Sequence, residues 1–280
     1  MRLEDPVATA GWRAELALGY QRRGARTVLA ARRHDGPLVV QKPLYPEGEA
    51  VCHTIVVHPP GGIAGGDTLQ LDVELGGEAH ALLTTPGAAK WYRSAGAWAR
   101  QTLALRVAPG AVLEWLPQES IVFDAARAKL ESEVHLSGDA RFIGWELLCF
   151  GRSGSGERFT RGRCRLANAI RRDGRLLWLE RGQFDGGGKL LESSAGLRGQ
   201  PVTGTMVAAA AEIDDALLAA CRSLAPSRGE GAVTRLPQLL VARYLGDSSE
   251  AARRYFVALW RALRPALVGR EAQEPRIWRT

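Results

Sequence analysis

Leu69-Gln70-Leu71-Asp72-Val73-Glu74-Leu75 alternates apolar and polar side chains without a break. In an extended chain successive side chains point to opposite faces. This stretch therefore turns a row of leucine and valine toward a core and a row of amide and acid toward water. The same alternation returns in Leu103, Leu105 and Val107, and again in Leu130, Val134 and Leu136. Between these segments stand turn-forming stretches such as Ala108-Pro109-Gly110 and Ser137-Gly138-Asp139. Further strand candidates lie at 26–33, 37–42, 79–84, 141–149, 163–170, 175–180 and 204–212, the last alanine-rich and readable as strand or helix. The pattern predicts a mainly β fold. No repeat of fixed residue period is visible, and Gly186-Gly187-Gly188 reads as a loop tip.

Helix signals are confined to the C-terminal third. Asp214 or Asp215 can cap a segment running to about Leu224, and Ser248 or Ser249 can cap a longer one beginning at Glu250. In the longer segment Tyr255, Phe256, Leu259, Trp260, Leu263 and Leu267 recur at helical spacing, and Pro265 predicts a kink or an end near Arg264. The organisation expected is one domain over 1–280, β-rich over 1–212 and mixed with two helices over 213–280.

With 280 residues, of which 46% are hydrophobic, the chain can bury one large core or two smaller ones, which excludes disorder and a disulfide-stapled mini-fold. The opening Met1-Arg2-Leu3-Glu4-Asp5-Pro6 places charges where a secretion signal needs an apolar stretch, and no apolar run is long enough to span a bilayer. A cytoplasmic location without membrane partners is the expectation. Cys52, Cys149, Cys164 and Cys221 are far apart and form no Cys-x-x-Cys pair, so neither a zinc site nor a disulfide framework is signalled. The net charge of +7 is carried by scattered arginine pairs. Without an aromatic-basic stacking motif or a known reader fold, nucleic acid is not expected as a partner; an acidic protein accounts for the charge equally well.

Residues 44–67 are the densest stretch. An apolar strand over Thr54–Val57 ends at His58, Pro59-Pro60 stops ladder pairing, and Gly61, Gly62, Gly65 and Gly66 permit positive φ or close backbone approach before Asp67. The Gly-Lys-Ser/Thr ending of a P-loop is absent and no helix follows, so nucleotide binding is rejected. Cys52, His53, His58, Glu47, Glu49 and Asp67 have ligand chemistry suited to nickel or zinc. Adjacent Cys52 and His53 would nevertheless point to opposite faces of a strand. Three further blocks carry chemistry: Thr84-Thr85-Pro86-Gly87-Ala88-Ala89-Lys90-Trp91-Tyr92-Arg93; Glu114-Trp115-Leu116-Pro117-Gln118-Glu119, whose proline excludes a fully paired central strand; and Gly151-Arg152-Ser153-Gly154-Ser155-Gly156-Glu157, which sets an arginine within ion-pair reach of a carboxylate.

Taken in order, His58-Pro59-Pro60-Gly61-Gly62-Ile63-Ala64-Gly65-Gly66-Asp67, Thr84-Thr85-Pro86-Gly87-Ala88 with Lys90 and Tyr92, Trp115-Leu116-Pro117-Gln118-Glu119, Gly151-Arg152 with Gly156-Glu157, and Pro275-Arg276-Ile277-Trp278 resemble the urease accessory protein family UreD, called UreH in some systems. The resemblance covers nearly the whole chain. It implies stacked strands in a β-helix-like architecture with two C-terminal α-helices, and a non-enzymatic chaperone role in urease metallocentre assembly. Implied partners are apo-urease and the UreF- and UreG-like accessory proteins, GTP hydrolysis belonging to the UreG-like one. Nickel would be cargo in transit rather than a tightly bound cofactor, and a conduit binds its ion weakly at successive places. Asp67, Glu119 and Glu157 are then the first candidates for such a path, with Cys52 and His58 next. Tyr255, Arg253, Arg254 and Trp260 on the amphipathic helix are the candidates for contact with a UreF-like partner. The alternative from another class is a carbohydrate-active β-helix enzyme using Glu119 and Glu157 as paired carboxylates; the missing secretion signal and coil repeat oppose it.

Overall fold

The computed structural model describes residues 11–279. A hairpin of β1 (Arg13–Arg23) and β2 (Arg26–Asp35) leads through the short β3 (Val39–Val40) into stacked coils. The first coil is β4 (Val51–Val57), β5 (Gly62–Ile63) and β6 (Thr68–Leu75). The second is β7 (His80–Thr84), β8 (Ala89–Trp91) and β9 (Ala99–Val107). The third is β10 (Val112–Trp115), β11 (Ser120–Val122) and β12 (Arg127–Leu136), and the fourth opens with β13 (Arg141–Phe150) and returns in β14 (Arg163–Arg172). Antiparallel additions follow: β15 (Arg175–Asp185), β16 (Val202–Ala209), β17 (Glu230–Leu236) and β18 (Leu239–Gly246). Helix α1 (Lys189–Glu192) lies between β15 and β16, α2 (Asp215–Ser223) between β16 and β17, and α3 (Ser249–Val268) follows β18.

Each coil visits two large sheets. The seven-stranded sheet runs β15-β14-β12-β9-β6-β1-β2, and the eleven-stranded sheet runs β17-β18-β16-β13-β10-β7-β4-β3 with β5, β8 and β11 forming a short side branch. Coil stacks on coil in parallel register, His80 beside Val51, Val112 beside His80 and Arg141 beside Val112. The middle step is longer than the two equal ones that flank it, which breaks any fixed period in the sequence of this coiled chain.

The two sheets differ in burial, and the difference is written in their residues. Strand β6 alternates, because its sheet faces the core on one side and water on the other. Strands β7 and β10 are buried along their whole length, His-Ala-Leu-Leu-Thr and Val-Leu-Glu-Trp. Their inner face joins the large apolar cluster between the sheets, with Leu83, Leu113 and Phe142. Their outer face joins a second cluster with α2, α3 and Trp278, through Leu82, Ile143 and Trp145.

Most expected elements are present, with instructive differences. Residues 204–212 resolve as strand β16, ending at Ala209. The sequence pattern does not single out β1, β17 and β18, nor the short β5, β8, β10 and β11; β17 is polar and mostly exposed, and the apolar run of β18 carries no period that separates strand from helix. Asp214 and Ser248 are the caps, accepting from the Leu217 and Ala251 amides at 2.7 and 3.2 Å. The helix does not end near Arg264. It continues through Pro265 to Val268, where Gly269 caps it with φ 73°. Leu263, Arg264 and Leu267 are buried on either side of the proline, and their packing offsets the hydrogen bond it cannot donate.

Candidate functional site

The glycine-rich loop after β4 is a coil corner. A Cβ on Gly62 would lie 2.0 Å from the Tyr92 ring of the next coil, so only glycine fits, and Gly66 has φ 101°. Asp67 closes the corner by accepting from the Trp12 and Ala64 amides at 2.8 and 2.7 Å. His58 lies at the other end of the loop, half-buried, its Nε2 without a hydrogen-bond partner. Burial pulls its pKa below the usual value, against the nearby Asp67 charge.

His58 opens onto a cavity of about 290 Å³ that Thr85, Ala89, Gln101 and Leu103 also line. The same four residues line a second cavity of about 100 Å³ between the sheets, which continues to Ser132, Glu146 and Asn168. The two cavities therefore adjoin across these four residues. At the inner end a polar chain runs from Ser132 Oγ to Asn168 Oδ1 (2.7 Å) and from Asn168 Nδ2 to Glu146 Oε2 (3.2 Å). Burial, with the Glu180 charge added and only the Asn168 hydrogen bond opposing, pushes the Glu146 carboxyl up to about 7. Glu180 is held at one oxygen by Arg243 (2.5 Å) and Thr205 (3.3 Å), while its other oxygen is buried and unpartnered. The inner cavity is thus a weakly polar space whose Glu146 carboxyl can exchange a proton near neutrality, with the Glu180 charge close behind it.

The five residues expected on an ion path do not converge. Asp67 and His58 share the corner described above. Glu119 sits in the turn between β10 and β11, near enough that its charge adds to the burial that raises the Cys149 thiol. Glu157 faces an outer pocket with Arg93 and Arg161 and is gripped by Arg152 at 2.7 and 3.2 Å, the ion pair its loop predicts. Cys52 is fully buried in the inner core beside the Thr54 hydroxyl, and burial raises its thiol, which makes it a weaker ligand than a thiolate. Its neighbour His53 points to the opposite face, toward Glu47 at 2.6 Å. Among the described residues no three His, Cys, Asp or Glu side chains come together to hold a metal ion.

That opposite face carries a buried charge network that sequence reading missed. Glu114 on β10 and Arg264 on α3 are both fully buried. Arg264 donates to both Glu114 oxygens at 3.0–3.1 Å, to Glu47 at 2.6 and 2.8 Å, and to the Glu271 carbonyl. Trp260 Nε1 donates to Glu114 at 2.5 Å, and His80 Nε2 lies 2.7 Å from it. Burial alone would raise the Glu114 pKa; the hydrogen bond and charge of His80 with the Arg264 charge outweigh it and hold the carboxyl at about 2. Glu47 is lowered by the same balance, burial opposed by His53 and Arg264. The available signal was a lone arginine inside the apolar stripe and a lone glutamate between Leu113 and Trp115. The network also corrects the partner residues expected on α3. Tyr255 and Trp260 are buried against the chain's own sheet, because the apolar stripe they belong to is what attaches the helix. Arg253 and Arg254 remain on its outer side.

The fold is a β-solenoid with helices packed on one flank. The family model for the UreD urease accessory protein matches residues 13–279. A urease accessory protein UreD from Azoarcus sp. strain BH72 is 62% identical over 274 residues, covering 98% of this chain and 96% of its own. The proteins of the same name from Dechloromonas aromatica and from Pseudomonas aeruginosa PAO1 are 55% and 57% identical, each covering 99% of this chain and 98% and 99% of their own. The chain belongs to the UreD family of urease accessory proteins. No helix among the described residues is long and apolar enough to cross a membrane.

Proposed function

We propose that this chain is a cytoplasmic, non-catalytic scaffold of urease maturation that binds apo-urease and UreF- and UreG-like proteins and lets nickel pass through its interior. The observation that carries the reading is the pair of adjoining cavities running from His58 to Glu146. A dication in transit needs successive weak oxygen and nitrogen donors rather than one closed cage, which would hold it. His58, Gln101, Ser132 and Glu146 provide such donors in order along the passage, and Glu146, titrating near 7, can exchange a proton for the ion. Asp67 acts on this path through the charge it sets beside His58. Arg253 and Arg254 on the outer side of α3 are the residues offered to a UreF-like partner.

The test is reconstitution of urease activity from apo-urease, nickel, bicarbonate, GTP and the UreF- and UreG-like proteins. Leaving out this chain is expected to abolish or sharply reduce activation. Full activation without it would overturn the reading.

A further inference from the structure

The +7 net charge has a place in the fold. Trp98, just before β9, carries two guanidinium groups on its ring, Arg127 at 4.8 Å and Arg165 at 4.9 Å. They come from β12 and β14, which the parallel register sets side by side. Arg165 also donates to the neutral Gln183 at 3.0 Å, and neither arginine forms an ion pair with a carboxylate among the described residues. The same outer face adds Arg100, which is beside Lys129 on the ladder, and Lys129 is beside Arg165. Arg181 follows on β15 at a groove of about 370 Å³ that Lys129, Glu131, Arg165 and Ala167 also line.

Lys129 is offset by Glu131 at 2.8 Å, whereas Arg127 and Arg165 repel each other with no carboxylate in ion-pair reach among the described residues, and stacking on one indole holds the two in place. Their forks are thereby kept ready for carboxylates from outside the chain. From this arrangement we infer that the outer face of β12, β14 and β15 around Trp98 is a docking surface for an acidic protein segment. Nucleic acid fits less well. Glu131 and Glu133 stand in the next rows of the same face, beside Thr102 and Ala104, so a duplex laid across the cations would bring phosphates onto carboxylates. A protein surface can match such a mosaic charge by charge. Sequence reading could not find the stack, since its members are brought together only by coil register.

The probe is poly-L-glutamate, titrated into the full chain at low and moderate salt, with a short DNA duplex titrated in parallel at equal charge concentration. The variant Arg127→Gln with Arg165→Gln is compared with Arg32→Gln and Arg33→Gln, which remove the same charge from β2 at the opposite edge of the sheet. Poly-glutamate is expected to bind the wild-type chain more tightly than DNA, to bind the stack variant at least tenfold more weakly, and to bind the β2 variant within twofold of wild type. Equal weakening in both variants, tighter binding of DNA, or no binding of poly-glutamate at low salt would each overturn the inference. Matching melting temperatures for the three proteins ensure that the comparison reads the surface and not the fold. The result is independent of the urease reading, which the reconstitution assay addresses.

Discussion

Glu114 and Glu146 are two acids on neighbouring strands of one sheet with opposite electrostatics. Glu114 points outward under α3, where Arg264 and His80 keep it ionised despite full burial. Its folded pKa of about 2 lies below the unfolded value, so its stabilisation is complete above the ordinary carboxylate range and is lost as pH falls toward 2. Glu114→Ala is expected to lose about 3 kcal/mol in urea unfolding at neutral pH, because it leaves Arg264 buried with only Glu47 for a counter-charge; a loss under about 1 kcal/mol would show that the network does not clamp the helix. Glu146 points inward, and its carboxyl is raised to about 7. The folded state then binds a proton that the unfolded chain releases, so stability declines from the ordinary carboxylate pKa up to about 7 and levels off above it. Glu146→Gln should remove this decline, which amounts to about 3 kcal/mol at full extent. Melting temperatures between pH 5 and 8 that track wild type would contradict the assignment. Neither acid could be assigned a face from sequence, because β10 and β13 are covered on both sides and lack the alternation that makes β6 legible.

At the scale of the element, α3 has an inner side that attaches it and an outer side that is free. Ser248→Ala removes the cap on the Ala251 amide and should cost about 1 kcal/mol in thermal or urea unfolding. Deleting the helix would expose the outer face of the eleven-stranded sheet, so its loss could not separate docking from folding. Charge reversal is the cleaner experiment. Arg253→Glu with Arg254→Glu should weaken binding of a UreF-like partner at least tenfold with little change in melting temperature, and undiminished affinity would remove these arginines from the interface. The helix, its cap and its buried stripe were readable from spacing. Its passage through Pro265 was not, because the packing of Leu263, Arg264 and Leu267 that sustains the last turn belongs to another part of the chain.

At the scale of the molecule, one sheet serves two cores. Strands β7, β10 and β13 supply the inner cluster with Leu83, Leu113 and Phe142 and the outer one with Leu82, Ile143 and Trp145. Neither core can open without disturbing that sheet, so tryptophan fluorescence and far-ultraviolet circular dichroism should report a single coincident unfolding transition. Two separated transitions would show the helical flank to be an independent unit. The β character, the corners where glycine and proline stop pairing, the two principal helices, the Arg152–Glu157 ion pair and the family are all legible along the chain. Each of these rests on residues close together in the chain, or on motifs in chain order. Which acids face the interior, the enclosure of Cys52, Tyr255 and Trp260, and the meetings of Arg264 with Glu114 and of Arg165 with Trp98 emerge from the folded packing alone. Those meetings depend on coil register between residues distant in sequence. A side chain on a strand buried on both faces carries no local mark of the direction in which it points.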